Sequence, residues 1–487
     1  MSARHDPATL VRAAAPALGG LLVPPRVAPS LDPRFRPIAL ASAALQAELE
    51  ASGRGRDVWL AVEQPGGSIV HRHTLVHAEG DPALPLGEYF CERLLKLLLW
   101  SHGGSRVYVD GPPGLAQRLA AHYRTSDAGR FDARLMGEEI YGQPFEVVAC
   151  PQLEFPPPQE PAMSLGGHRD GCRIGFDLGA SDRKVAAVRD GEVVFSEERP
   201  WDPVHQADPQ WHYDQIDDSL RRAAAHLPRV DAIGGSAAGV YVNGEVRVAS
   251  LFRAVPRTAF RTRVRGLFRE LAAAWGGVPF VIVNDGEVAA LAGAQLAGVT
   301  ALLGMALGSS LAAGYVARDG TLTTWLDELA FAPLDAAPEA PLDEWSGDRG
   351  CGAQYLSQQA LVRLLPAAAI ATPAGMAVPE QLVELQRLMA GGDPRAGQVY
   401  QTIGTYLGYA LLGYAGAYAI EHVLVLGRVM SGPGGDVILD AARTVLEAEA
   451  SGGPRIAFHT ASERDKRHGQ AVVAAGLPTL GRRNADA

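Results

Sequence analysis

The chain has 487 residues, 47% hydrophobic and 20% charged, the balance of a globular protein with room for two or three domains. Lys+Arg 44 against Asp+Glu 54 leaves a formal charge of −10, a field that argues against duplex nucleic acid or anionic lipid as the main partner. Four scattered cysteines without a C-x-x-C pair exclude a disulfide scaffold and give no zinc-knuckle spacing.

The N-terminal stretch MSARHDPATLVRAAAPALGGLLVPP is interrupted by Asp6 and Arg12 and broken by Pro16, so it does not read as a signal peptide. VWLAVEQ, Pro65-Gly66-Gly67 and SIVHRHTLV then predict a hairpin, EYFCERLLKLLLW a helix, RVYVDGP a strand and LAQRLAAHY a second helix. Residues 1–150 are thus expected to form a small α/β domain with no helix-turn-helix and no motif that carries chemistry. The proline-dense stretch PQLEFPPPQEPAMSLGG opens a linker expected over 151–170.

Beyond it, Asp190-Gly191, Asn243-Gly244 and Asp319-Gly320 each predict a two-residue type I′ hairpin turn. WDPVHQADPQWHYDQ reads as a Pro-broken loop with an aromatic patch. Arg253, Arg257, Arg261, Arg263 and Arg265 read as a solvated helical face, with a clamp on an anionic substrate as the functional alternative. The 25 uncharged residues Ala396–Ile420 are rich in Gly and Tyr and predict a helix buried at a lobe interface, not a membrane span.

An internal repeat organises this part of the chain. Leu178-Gly179-Ala180-Ser181 precedes Arg189-Asp190-Gly191, and Leu307-Gly308-Ser309-Ser310 precedes Arg318-Asp319-Gly320, each matched position 129 residues apart. Both copies follow an apolar strand. A Gly/Ala/Ser turn lets a ligand approach the backbone and presents N–H groups and hydroxyls, the groups that hold phosphate oxygens. Asp177, at the strand end before the first turn, is in place for a hydrated Mg²⁺, or simply caps the turn. Between the copies, Phe280–Val283 runs into Asn284-Asp285-Gly286 and an Ala-rich helix. There an Asn/Asp pair serves as a helix cap, and Asp285 as a base at a strand's carboxyl end; the two roles are compatible.

Residues from about Arg173 to the C-terminus resemble the ROK group (repressors, uncharacterised open reading frames and sugar kinases) of the actin-like, hexokinase-like ATPases. Asp177-Leu178-Gly179-Ala180-Ser181 is similar to its first phosphate loop, and Ala306–Ser310, continuing to Gly314, to its second. Asn284-Asp285 falls on its N-D pair, Leu326–Phe331 on its A-G-E-L-G-H run, and Val423–Gly427 on its adenosine-side strand and turn. The resemblance implies a duplicated, two-lobed α/β fold (ribonuclease H-like), with lobes at 171–300 and 301–487 and a C-terminal helix returning to the first. It implies Asp285 as general base and Asp177 as an Mg²⁺ site through water. Gly179, Ala180, Ser181, Gly308, Ser309 and Ser310 would hold phosphates, Asn284 and Glu328 the sugar, and Gly427 adenosine.

Departures qualify it. The histidine of the A-G-E-L-G-H run is Phe331 here, only Cys351 of three zinc-loop cysteines is present, and Ala353 replaces a sugar-contacting glutamate. Ser310 and Ala312 replace two glycines of the second phosphate loop. A zinc-free cytoplasmic protein with altered sugar specificity is therefore expected, using ATP and Mg²⁺ to phosphorylate a sugar-like hydroxyl. The alternative is a sugar- or nucleotide-sensing regulator that has lost turnover. Its partner would be a small molecule, without nucleic acid or membrane; self-association is left open.

Overall fold

Four sheets organise the computed structural model, which describes residues 22–160, 165–449, 456–460 and 463–480. The leader reading of the first residues lies outside the described part. The strands β1 (Arg56–Glu63), β2 (Ile69–Val76), β3 (Arg106–Asp110) and β4 (Glu146–Ala149) form the N-terminal sheet in the order β2-β1-β3-β4. Residues 151–160 run along its edge: Gln159 exchanges both backbone hydrogen bonds with Ile69 (2.8 and 3.0 Å), and buried Phe155 packs on His71 and Tyr108.

The next sheet contains β5 (Cys172–Leu178), β6 (Asp182–Arg189), β7 (Glu192–Pro200), β8 (Ala232–Ala237) and β11 (Phe280–Asn284), ordered β11-β8-β5-β6-β7. β6 is antiparallel to β5 and β7, whereas β8 and β11 run parallel to β5. Every residue of β5 is buried, as a central strand covered on both faces requires. A short hairpin of β9 (Val240–Val242) and β10 (Glu245–Val248) projects between β8 and β11 in sequence.

β12 (Leu302–Leu307), β13 (Leu311–Val316), β14 (His422–Leu426) and β15 (Ala457–His459) repeat this plan as β13-β12-β14-β15, with β12–β13 antiparallel and the other pairs parallel. The counterpart of β7 is reduced to one bridge, Val316 to Leu322. The shared strand order makes the sequence repeat a repeat of architecture.

Asp190-Gly191 (φ 51° and 86°) and Asn243-Gly244 (φ 53° and 73°) are left-handed at both positions, as a type I′ turn demands. Asp319-Gly320 departs from that expectation, because only Gly320 is left-handed (φ 83°). The Asp319 carboxylate accepts from the Thr321 N–H (3.0 Å) and hydroxyl (2.7 Å), which holds Asp319 in ordinary backbone within a four-residue turn. The stretch containing Trp211, His212 and Tyr213 also differs from a loop. Asp208 caps Gln210 (2.9 Å) and Pro209 sits at the first helical position, so the proline opens a helix, Pro209–Ala224.

The N-terminal sheet has a small cluster of its own under the helix Ile38–Ser52, but its main core is shared. Leu60 of β1, with Leu98 and Trp100 of α2 (Leu84–Ser101), joins Met305, Leu307, Tyr355 and Tyr406 of the second lobe in one continuous buried cluster. Ahead of α1 (Ile38–Ser52), Phe35 packs 4.8 Å from the Tyr406 ring, and the Ile38 N–H reaches the Leu334 carbonyl at 2.9 Å. Burying such a ring is worth about 1.5–3 kcal/mol, so this leading segment is part of the lobe's stability. Helix α4 (Pro394–Tyr414) buries Tyr400, Tyr406, Tyr409 and Tyr414 completely, and no described helix is long and apolar enough to cross a membrane. Helix α5 (Glu463–Ala475) lies on the first-lobe sheet, Ala471 and Ala475 against Ala186 and Val188, while buried Arg173 donates to the Pro478 carbonyl at 2.7 Å.

Candidate active site

Strand β11 ends at Asn284, and α3 (Asp285–Ala297) starts at once because the sequence supplies both halves of a capping box. Asn284 Oδ1 accepts from the Gly286 N–H (2.7 Å), and Glu287 accepts from the Asn284 N–H (2.9 Å). Asn284 Nδ2 donates to the Gly239 carbonyl (2.7 Å), so the amide expected to touch a sugar is committed at both ends to the backbone. Gly314 of β13 sits against the Glu287 backbone, where a Cβ would overlap it. That close approach puts Asp285 beside the second half of the repeat.

Asp285 stands in a field of carboxylates. Burial, followed by the charge of Asp177, pushes Asp285 up to about 6. Asp177 is itself raised by burial, although the Ser236 hydroxyl donates to it (2.7 Å) and Lys184 Nζ lies 3.6 Å away. Burial, then Asp285 and Asp327, brings Glu328 to about 7; burial, then chiefly Asp327, brings Glu287 to about 8. Burial also lifts Asp327 to about 7 against hydrogen bonds from Tyr418 and the Tyr315 N–H. Sequence reasoning singled out Asp177, Asp285 and Glu328 but missed Glu287, Asp327, Ser236 and Lys184. Only Glu287 had a local signal, as the acid three residues after Asn284 in an N-D-G-E cap.

Each small-residue turn is closed by a backbone bond from its glycine, the first being one residue longer than the second. Gly179 N–H bonds the Asp182 carbonyl (2.9 Å), and Trp201 pins the turn through its indole to Gly179 O (2.8 Å) and its N–H to Ser181 O (3.1 Å). Gly308 N–H bonds the Ser310 carbonyl (2.9 Å), and the Gln358 N–H bonds Gly308 O (2.9 Å). Ala180, Ser181, Ser309 and Ser310 are exposed, with N–H groups that engage no partner among the described residues. Such N–H groups suit anions.

A cavity of about 730 Å³ is walled by Asp285 and Gly286, by Ala306 and Ala312 beside the second turn, by Gly427, and by Gln470 of α5. Gly179–Ser181, Gly308–Ser310, Asn284 and Glu328 are outside its wall; the first turn meets the site through Asp177, the second through its flanking residues Ala306 and Ala312. Gly427 (φ 98°) lies against the Leu307 backbone, with no space for a Cβ. Gly427→Ala is expected to cost about 1–3 kcal/mol in backbone strain alone, read by thermal unfolding.

On the other side of Asp285, the N-terminal sheet's helix α2 closes in. Its terminal carbonyls at Trp100 and Ser101 accept from the N–H groups of Glu328 and Asp327 (both 2.9 Å). Phe331 lies 4.4 Å from the Trp100 ring and 5.3 Å from Phe131, an apolar contact where the resemblance has a histidine. Cys351 is fully buried, and its segment is fastened by Asp348, which bonds Lys96 (2.9 Å) and Arg93 (2.7 Å) of α2. Lys96 also bonds Asp132 (2.9 Å).

No family model and no curated protein matches the chain. Among solved structures, a ROK hexokinase from Thermus thermophilus is 21% identical (TM-score 0.48), over 62% of this chain and 97% of that one. A ROK family glucokinase from Streptomyces griseus in complex with glucose and AMPPNP is 22% identical (TM-score 0.48), over 64% and 100%. A ROK family transcriptional regulator, a homologue of the E. coli MLC protein, is 20% identical (TM-score 0.50), over 63% and 78%. This last likeness is one of fold, and it agrees with the strand orders above: the chain has the duplicated, two-lobed actin- and hexokinase-like α/β fold, preceded by an additional α/β unit.

Proposed function

We propose that the protein transfers the γ-phosphoryl group of ATP to a hydroxyl of a sugar-like acceptor. The reading rests on one observation above the rest: a carboxylate raised to about 6 stands at a helix N-terminus in the wall of a cavity lined also by Gly427 and by Ala306 and Ala312, which flank the second turn. Asp285 accepts the hydroxyl proton as that oxygen attacks phosphorus; the bond to the β-phosphate oxygen breaks and ADP carries its electron pair away. The free N–H groups of Ser309 and Ser310 hold phosphate oxygens, and those of Ala180 and Ser181 approach from the first lobe. Among the described residues no three His, Cys, Asp or Glu side chains converge to hold a metal directly, so Mg²⁺ would be held by Asp177 through water, together with phosphate oxygens. When bound, Mg²⁺ offsets phosphate charge. Glu328 orients the acceptor, whereas Asn284 acts through the cap that aims Asp285.

Phosphorylation across a sugar and polyol panel tests the reading. Its kcat/KM is expected to fall on the acid side with an apparent pKa near 6, because Asp285 must be ionised to take the proton. A flat acid limb would point to another base.

The packing of Phe331 against Trp100 and Phe131, together with α2 on the Glu328 backbone, favours a second reading: a sensing protein that binds nucleotide or sugar without turnover. Calorimetry separates the two, since ATP–Mg²⁺ or sugar binding with no phosphorylated product supports sensing.

A further inference from the structure

The arginine-rich stretch after β10 is solvated, as expected, with Arg253, Arg257, Arg261 and Arg263 exposed along a largely helical segment, but it also borders a cavity. Arg247, Arg253, Arg257, Arg261 and Arg265 line one cavity of about 340 Å³, and Arg134 of the N-terminal unit closes it from the opposite side. Six arginines therefore border one cavity in a chain whose net charge is −10.

Little neutralises them. Glu139 is the single acid in the wall, and it is shared between Arg134 (3.5 Å) and Arg257 (3.0 Å). Arg247 pairs with Glu245 (2.9 Å), which Arg269 also holds. No ion pair among the described residues engages Arg253, Arg261 or Arg265. The Nε groups of Arg247 and Arg265 are buried without a hydrogen-bond partner, the kind of orphan that calls for a missing acceptor.

Backbone and floor point the same way. Leu135–Tyr141 and Phe260–Val264, the two π-helical stretches among the described residues, form opposite walls. The Arg265 N–H reaches back to the Phe260 carbonyl (2.9 Å) and widens that turn toward the cavity. Such turns give up regular helix geometry and recur where a ligand is bound. Phe252, Val255 and Phe260 supply an apolar floor beneath the charges. The volume lies at the lower end of small-molecule sites, and concavity suits a compact anion better than an extended polymer.

We propose that this cavity binds the phosphoryl groups of a small molecule, at a site separate from the Asp285 cleft. Guanidinium forks match phosphate oxygens in pairs, and a bound phosphate would join Arg134 of the N-terminal unit to Arg253, Arg261 and Arg265 of the first lobe. The shared chemistry is phosphate, free or esterified.

Calorimetric titration of the full chain with inorganic pyrophosphate, fructose 1,6-bisphosphate and unphosphorylated fructose tests it. Saturable binding of one or both phosphorylated probes, but not of fructose, is the expected result; which of them binds tells free from esterified phosphate. Arg253→Ser with Arg261→Ser, both exposed positions, should weaken that binding at least ~tenfold and leave ATP affinity unchanged. Arg265→Gln should act in the same direction. The proposal is overturned by three results: no saturable binding of either phosphorylated probe, binding indifferent to these substitutions, or displacement of the probe by ATP.

Discussion

Asp285→Asn is expected to lower ATP-dependent phosphorylation about 10²–10⁴-fold, the usual contribution of a positioned base, while making the folded chain more stable at neutral pH. The two effects share a cause. Asp285 is costly to ionise because burial and Asp177 oppose its charge, and its charge in turn raises Glu328. Asparagine keeps the shape and removes the charge, so the base is lost and the repulsion relieved. Each of Asp285, Glu328, Asp327 and Glu287 holds its proton more tightly in the folded chain (about 6, 7, 7 and 8) than when unfolded. Between the ordinary carboxylate range near pH 4 and about pH 8 these four groups bind more protons in the native state, so their contribution to stability falls as pH rises. Melting temperature should be higher at pH 5.5 than at pH 8, and the difference smaller in Asp285→Asn. A variant that phosphorylates normally would remove Asp285 from the chemistry; one that melts no higher would remove it from the electrostatic cluster.

Lys96→Met should be the most damaging substitution outside the cleft, at about 3–5 kcal/mol, because it strands two buried carboxylates at once. Lys96 is fully buried between Asp132 and Asp348 (both 2.9 Å), and Arg93 bonds Asp348 and Glu92. Burial opposes every charge here, yet Arg93 and Lys96 hold Asp348 well below the carboxylate range, and Asp132 and Asp348 hold Lys96 above the ordinary lysine value. Denaturant midpoints for Lys96→Met, Asp348→Asn and the double variant form the test. A double variant that recovers stability relative to the sum of the singles identifies a coupled pair; strictly additive losses would mean the two groups do not depend on each other.

Local chemistry made some of this legible before any coordinates. Asn243-Gly244 and Asp190-Gly191 dictate their turns because few residues accept a left-handed backbone twice in succession. The spacing of 129 residues reported a repeated unit, and the two sheets share one strand order. Asn284-Asp285 is both a cap and the end of a strand beside a cavity, as the residue types allowed. What stayed hidden depends on pairs distant in sequence. Lys96 in an apolar helix reads as a solvated charge until Asp348, 252 positions later, is seen beside it. Arg253, Arg257 and Arg261 recur at helical spacing and read as one outward face, and they are exposed, but the helix widens into a π-turn there and Arg134 arrives from a separate unit to share the cavity. Phe331 is a departure from a family pattern in sequence, and only its rings show why it is tolerated.

The leading unit and the second lobe share one large buried cluster, while the leading unit meets the first lobe along the turn Leu135–Tyr141. Mechanically they are one arm. If the first lobe rotates as the cleft opens or shuts, that arm does not follow it, and the seam between Arg134 and Arg261 takes up the travel. The gap between these two guanidinium groups is thus a ruler for the angle between lobes, readable by spectroscopic labels placed on either bank.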